Sequence, residues 1–217
     1  MNMQQIITKC EAILDKAFRE SNELAGGVNY RYIHGVRTMK ACKKILSTPE
    51  LKGKRVRKLE LFVAALFHDI GKVVYIEADG TLQGDRSKDP ESHEEVGARI
   101  MGNYIKGVVP DESIRFVSDI IRESRNPKLV LTETKILNDA DVLDSIGLIN
   151  TWRMFTYSGK KARSLNETLK YYRTTSKDTS RKERLYFSYT KKVATQRRQR
   201  LEKFMREFEK EYTYNDL

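Results

Sequence analysis

Between Leu59 and Lys72 the sequence reads LELFVAALFHDIGK, apolar on every side of a helix from Leu61 to Phe67 and then closing on His68 and Asp69. A helix with no polar face has nowhere to meet solvent, so other elements of the fold have to surround it. A carboxylate beside an imidazole at the end of such a helix is expensive to desolvate unless paired or metal-bound, because an uncompensated buried charge costs on the order of several kcal/mol. A shared cation removes that cost. The segment therefore predicts a central buried helix that carries a polar site at its end.

A second helical segment, KILNDADVLDSIGLI, gives a similar signal. Positions 137, 141, 144 and 148 fall on one face at 3.6 residues per turn, so Asp141 and Asp144 align with Leu137 and Leu148 and point toward the core side, while Asp139 points elsewhere. His34 lies in a third segment, IHGVRTMKACKKIL, beside the Val36, Met39 and Cys42 pattern. The chain has three histidines, His34, His68 and His93. Singly, His34 reads equally as a core histidine, His68 and Asp69 as a hydrogen-bonded pair, and His93 as a surface residue.

Helical periodicity recurs over an opening segment and roughly residues 31 to 47, 56 to 71, 90 to 106, 111 to 123, 133 to 155 and within 164 to 212, with no sustained strand alternation between them. An all-α bundle is expected, and 217 residues suffice for one domain with a real core. Asp89 followed by Pro90 reads as an N-cap and first-turn proline, starting a helix that carries His93 near its N-terminus. The preceding loop, Asp79 to Pro90, has the composition of a surface connection.

Charge divides the chain. The net charge is +11, and from Thr151 onward 18 basic residues face 8 acidic ones, whereas the part before is nearly balanced. The expected organisation is a core of about residues 28 to 155 with a basic helical extension of about 156 to 217, together forming a single domain. A basic surplus attracts nucleotides, nucleic acid or acidic partners, and also occurs as plain solvated surface. The two cysteines, Cys10 and Cys42, suggest neither a disulfide framework nor a thiolate zinc site, and read as core thiols of a reducing compartment. The N-terminal segment alternates charge with apolar residues, unlike a signal peptide, and no apolar run approaches the roughly 20 residues of a membrane span. A cytoplasmic protein is expected.

The combination of His34, the FHDIGK run with His68 and Asp69, and Asp141 within NDADVLDSIG resembles the HD superfamily of metal-dependent phosphohydrolases. The similarity is closest to small bacterial members with a DADxLDxIG segment, and it extends from about residue 30 to about 210. The family's Ala-Asp-x-Leu context matches Ala140 to Leu143 and selects Asp141 as the distant aspartate. The resemblance implies one divalent metal ion held by His34, His68, Asp69 and Asp141, with manganese, iron, nickel, zinc or magnesium as candidates. Relatives with two metals carry extra histidines where this chain reads IIRESRNP, which argues for one metal.

Such an ion acidifies and orients a water for attack on phosphorus, with cations nearby to stabilise the charge. Asp69, Lys72 and His93 are the catalytic candidates. Lys72, His93, Arg86, Arg122 and Arg125 are candidate phosphate contacts, Arg86 and Lys88 as a lid and Glu94 as an aid to His93. The expected substrate is a small phosphorylated molecule, in the first place a nucleotide. Alternatives are a phosphodiesterase acting on a cyclic nucleotide or oligonucleotide, or an alarmone hydrolase; HDIGKVV replaces the HDTVEDT of the latter, and the GYP-type segment of cyclic dinucleotide enzymes is missing. A different class is a nucleic-acid-binding regulatory protein that uses Arg197, Arg198 and Arg200, with a structural metal site. A homodimer is compatible with all of these.

Overall fold

The all-round apolar segment is the centre of the molecule. In the computed structural model, which describes residues 1–82, 91–124, 126–175 and 184–215, it forms α3 (Lys58–Phe67), and Leu61 through Phe67 are each no more than 5% exposed. Four helices enclose it: α1 (Met3–Phe18), α2 (Tyr30–Leu46), α5 (Asp111–Glu123) and α6 (Thr132–Asp144). Ile6, Ile7, Cys10, Leu14 and Phe18 bring the apolar stripe of α1 to this core. A capping box at Asn2 and Gln5 starts that helix by satisfying otherwise unpaired backbone N–H groups. Cys10 and Cys42 are free, buried thiols, and burial pushes Cys10 up to about 12.

The expected all-α class holds, with local departures. Three two-residue strands, β1 (Asn22–Glu23), β2 (Gly27–Val28) and β3 (Thr81–Leu82), form a small sheet in the order β2-β1-β3, antiparallel for the first pair and parallel for the second. Strands of two residues leave no periodicity to read. After Phe67 the chain does not remain α-helical; His68 and Asp69 lie in a turn that leads to a 3-10 segment, Ile70–Tyr75. Helix α4 (His93–Ile105) begins later than expected, with the Ser92 hydroxyl accepting from Glu95 N at 3.3 Å as its cap. The proposed cap residues Asp89 and Pro90 lie outside the described residues.

The turn after the His-Asp pair is pressed against α4. A Cβ placed on Gly71 would come within 1.9 Å of the His93 carbonyl oxygen, so only glycine allows this approach. Packing of α4 onto that turn brings His93 to Asp69.

The long helix expected over about 133 to 155 is two helices. Gly147 has φ of +96° and ends the run, with Arg197 occupying the space where a side chain would sit. The chain restarts as α7 (Leu148–Lys160). Leu148 is therefore 51% exposed and does not share a face with Asp141. The expected start of the basic extension, at about residue 156, falls inside α7. Two further helices, α8 (Leu165–Thr175) and α9 (Ser188–Thr213), pack with α7 through Met154, Leu169, Tyr172, Leu201 and Met205. Leu185 and Ala194 join this part to Leu143 and Ile146. On α9, Leu201 and Met205 are buried, while Phe204 is 41% exposed.

Candidate metal centre

His34 from the second turn of α2, His68 from the end of α3 and Asp141 from the last turn of α6 converge in a cavity of about 310 Å³. Their ligand atoms lie within 4.8 Å of one another. The two Nε2 atoms are 3.1 Å apart, and Asp141 Oδ1 is 3.1 Å from His34 Nε2 and 3.7 Å from His68 Nε2. Both histidines are buried, whereas 48% of the Asp141 side chain is exposed at the cavity mouth rather than in the core.

Each imidazole is oriented from behind. His34 Nδ1 sits 2.8 Å from Asp144 Oδ2, and His68 Nδ1 sits 2.9 Å from the Ala65 carbonyl oxygen. Carboxylate and carbonyl acceptors both require the proton on Nδ1, which leaves the Nε2 lone pairs facing each other. Two lone pairs at 3.1 Å repel unless a cation or proton lies between them. This donor set, two imidazoles and a carboxylate, suits a first-row divalent metal.

Asp69 stands beside the trio, with Oδ2 3.6 Å from His34 Nε2 and 3.8 Å from His68 Nε2. That oxygen also accepts from Arg31 Nη1, and Arg31 Nη2 donates to Glu23. The other oxygen faces Lys72 Nζ at 2.8 Å and His93 Nε2 at 3.3 Å. Burial alone would push the Asp69 carboxyl up, but the charges of Lys72, Arg31 and His68 hold it well below the usual carboxylate range. His93, the first residue of α4, also lies 3.3 Å from Glu94 Oε1.

The electrostatics of the trio follow the same geometry. Burial lowers the His34 imidazole, but its hydrogen bonds to Asp141 and Asp144 outweigh this and lift it from 6.5 to about 9. Desolvation by the surrounding wall raises Asp141, and its hydrogen bonds with His34 and His68 overcome that and hold it well below the usual range. Asp144 is lowered on the same balance, burial opposed by His34 and Arg37.

Lys72 and His93 line the cavity; Arg122 does not. It is exposed and faces Asp119 at 3.4 Å, because it follows Ile121, which points into the core. Arg86, Lys88 and Arg125 lie outside the described residues. The cavity is also lined by polar residues that the sequence does not mark as site groups, among them Arg31, Asn138, Arg153 and Arg184. Arg31 lies three residues before His34 on α2, so helical spacing was the available signal. Asp139 is fully buried but turned away, accepting from Tyr186 N, Phe187 N and Thr190 Oγ1.

The HD domain family matches residues 31–146, a span that contains every residue of this centre apart from Glu23, Arg153 and Arg184. No curated protein matches the sequence. Solved structures share the fold over nearly the whole chain, three of them as follows. The Lin1889 protein of Listeria innocua is 25% identical, with 98% of both chains covered and a TM-score of 0.63. An HD-superfamily hydrolase of Bacillus thuringiensis is 20% identical, covering 98% of this chain and 99% of its own, with a TM-score of 0.66. YpgQ of Bacillus subtilis, solved in complex with ADP, is 18% identical, with 97% of both chains covered and a TM-score of 0.59.

Proposed function

The chain belongs to the HD-domain family, and from that premise we propose that it is a metal-dependent hydrolase that cleaves a phosphate ester or anhydride of a nucleotide. The observation that carries this reading is the pair of inward-facing Nε2 atoms 3.1 Å apart, set in a cavity whose walls also carry four cations, Arg31, Lys72, Arg153 and Arg184. A site that concentrates positive charge beside metal-type ligands suits a phosphate group. The ADP complex of the B. subtilis neighbour supports a nucleotide as the substrate.

In this reading His34, His68 and Asp141 hold one divalent ion such as manganese, and Asp69 completes the set. The ion supplies an acidified water and neutralises charge on the phosphate oxygens. Asp69, fixed by Arg31, has its Oδ1 toward Lys72 and His93, and this keeps both groups pointed at the space where phosphate binds. Lys72 contributes a positive charge to the phosphate, and His93 is placed to pass a proton to the leaving oxygen. Arg153 and Arg184, which also line the cavity, screen the remaining charge.

A nucleic-acid role for the basic tail draws less support, since part of its charge is turned inward. Arg197 donates to the Leu143 carbonyl oxygen, and Arg198 lines a cavity. The test is phosphate or pyrophosphate release from a panel of nucleoside mono-, di- and triphosphates with manganese supplied. Turnover of at least one nucleotide, lost in His68→Ala, is the expected result. Parental rates in His68→Ala, or no turnover of any nucleotide, would overturn the reading.

A further inference from the structure

A second cavity, of about 300 Å³, opens between α7, α8 and α9. It adjoins the metal cavity, and Ser145 and Arg153 line both. The two spaces differ in chemistry. The first gathers metal-type ligands and cations, whereas the second adds an aromatic and apolar wall of Tyr157, Tyr171, Met154 and Leu201, with Asn150, Arg198 and Glu202 among its polar groups.

We propose that this second cavity is the subsite for the nucleobase of the substrate, with Arg153 at the junction between base and phosphate; the assignment of the phosphate end rests on the phosphohydrolase reading above. Three observations support it. The volume lies at the lower end of small-molecule sites, which combine apolar and aromatic walls with a few placed polar groups. The aromatic wall is preformed, since the Arg163 guanidinium lies 4.8 Å from the Tyr157 ring centroid and 4.4 Å from that of Tyr171, holding both rings in place from one side. Asn150 offers an amide whose side chain makes no hydrogen bond among the described residues.

The chemistry selects a flat heteroaromatic group. Ring and thioether surfaces favour a planar apolar face. An amide can both donate to and accept from a base edge, and the Glu202 carboxylate accepts from its N–H groups. Arg153 is tied to the metal centre through packing: its guanidinium lies 5.3 Å from the Tyr30 ring centroid, and Tyr30 stacks on His34 at 5.8 Å. A ligand that spans both cavities therefore passes a cation suited to its first phosphate.

The test uses nucleosides, which carry a base and no phosphate. The full chain, treated with chelator, is titrated with adenosine, guanosine, cytidine and uridine at millimolar concentrations by saturation-transfer NMR. At least one is expected to bind, and Asn150→Trp, which fills the cavity, is expected to weaken it tenfold or more. Should that variant melt well below the parent, Tyr157→Ala, which removes one wall, carries the same expectation. No binding of any nucleoside, or equal binding by the parent and a folded variant, overturns the subsite. Because neither phosphate nor metal takes part, this readout is separate from hydrolysis: turnover of phosphate substrates without nucleoside binding removes the subsite alone, and nucleoside binding without turnover removes the hydrolase reading alone.

Discussion

Asp144 Oδ2 lies 2.8 Å from His34 Nδ1, so a carboxylate on α6 sets the tautomer of an imidazole on α2. The same carboxylate accepts from Arg37 Nε at 2.7 Å through its other oxygen. An acidic group behind a metal-binding histidine raises the basicity of the ligand nitrogen and fixes the ring plane.

Asp144→Asn keeps the shape and removes the charge. Loss of such a partner weakens metal affinity by roughly 10- to 100-fold. Manganese titration of the chelator-treated variant should show that loss with the helical circular dichroism unchanged. Affinity equal to the parent's would mean that Asp144 does not orient His34.

Arg31 bridges two buried carboxylates, Asp69 and Glu23. Its ionised state is held further up by those charges, which outweigh the cost of burial. Arg31→Met removes the cation that links the two acids and leaves Lys72 as the remaining counter-charge of Asp69; breaking a buried pair in this way costs about 3–5 kcal/mol. Urea unfolding in chelator should show a drop of that size, and adding Glu23→Leu should recover part of it. A single variant as stable as the parent would remove Arg31 from the account.

Asp139 and Asp141 are two residues apart and predict opposite phenotypes. Asp139→Ala strips the acceptor from Tyr186 N, Phe187 N and Thr190 Oγ1, an expected loss of about 3 kcal/mol for hydrogen bonds to a buried charged group. Asp141→Ala should scarcely change the melting temperature and should lose bound metal. Thermal melts and elemental analysis of the two variants separate these outcomes; the reverse pattern would exchange their roles.

The His34 imidazole, lifted to about 9, holds a proton at neutral pH that a metal ion has to displace. Manganese affinity should therefore rise as pH is raised from 7 toward 9, by up to about tenfold per unit, and level off above. Stability of the metal-free protein runs the other way. A raised folded value contributes stability that is complete below about 6.5 and is lost as pH climbs through about 9. Flat affinity across this range would contradict the coupling.

The central site was readable because its signals are local. An all-round apolar helix that ends in His68 and Asp69 announces a buried polar site by itself, and the surroundings of Asp141 separate it from Asp139. The ion bridges around Asp69 were not readable, because Glu23 reaches Arg31 through a small sheet of two-residue strands that carries no periodicity. The burial of Asp139 depends on backbone groups 47 and 48 residues away in sequence. Likewise, the break at Gly147 depends on where Arg197 packs, and a lone glycine in a helical pattern does not reveal that. The basic tail hid its packing role, because Arg197 reads as surface charge until Leu143 is seen to accept from it.

Anomalous diffraction at the manganese edge, on crystals of the chain grown with that ion, tests the central claim most directly. The account predicts one strong peak within about 2 Å of His34 Nε2, His68 Nε2 and an Asp141 carboxylate oxygen, as expected for first-row metal–ligand bonds. A peak bound by other residues, or none at this cavity with manganese in excess, would contradict it.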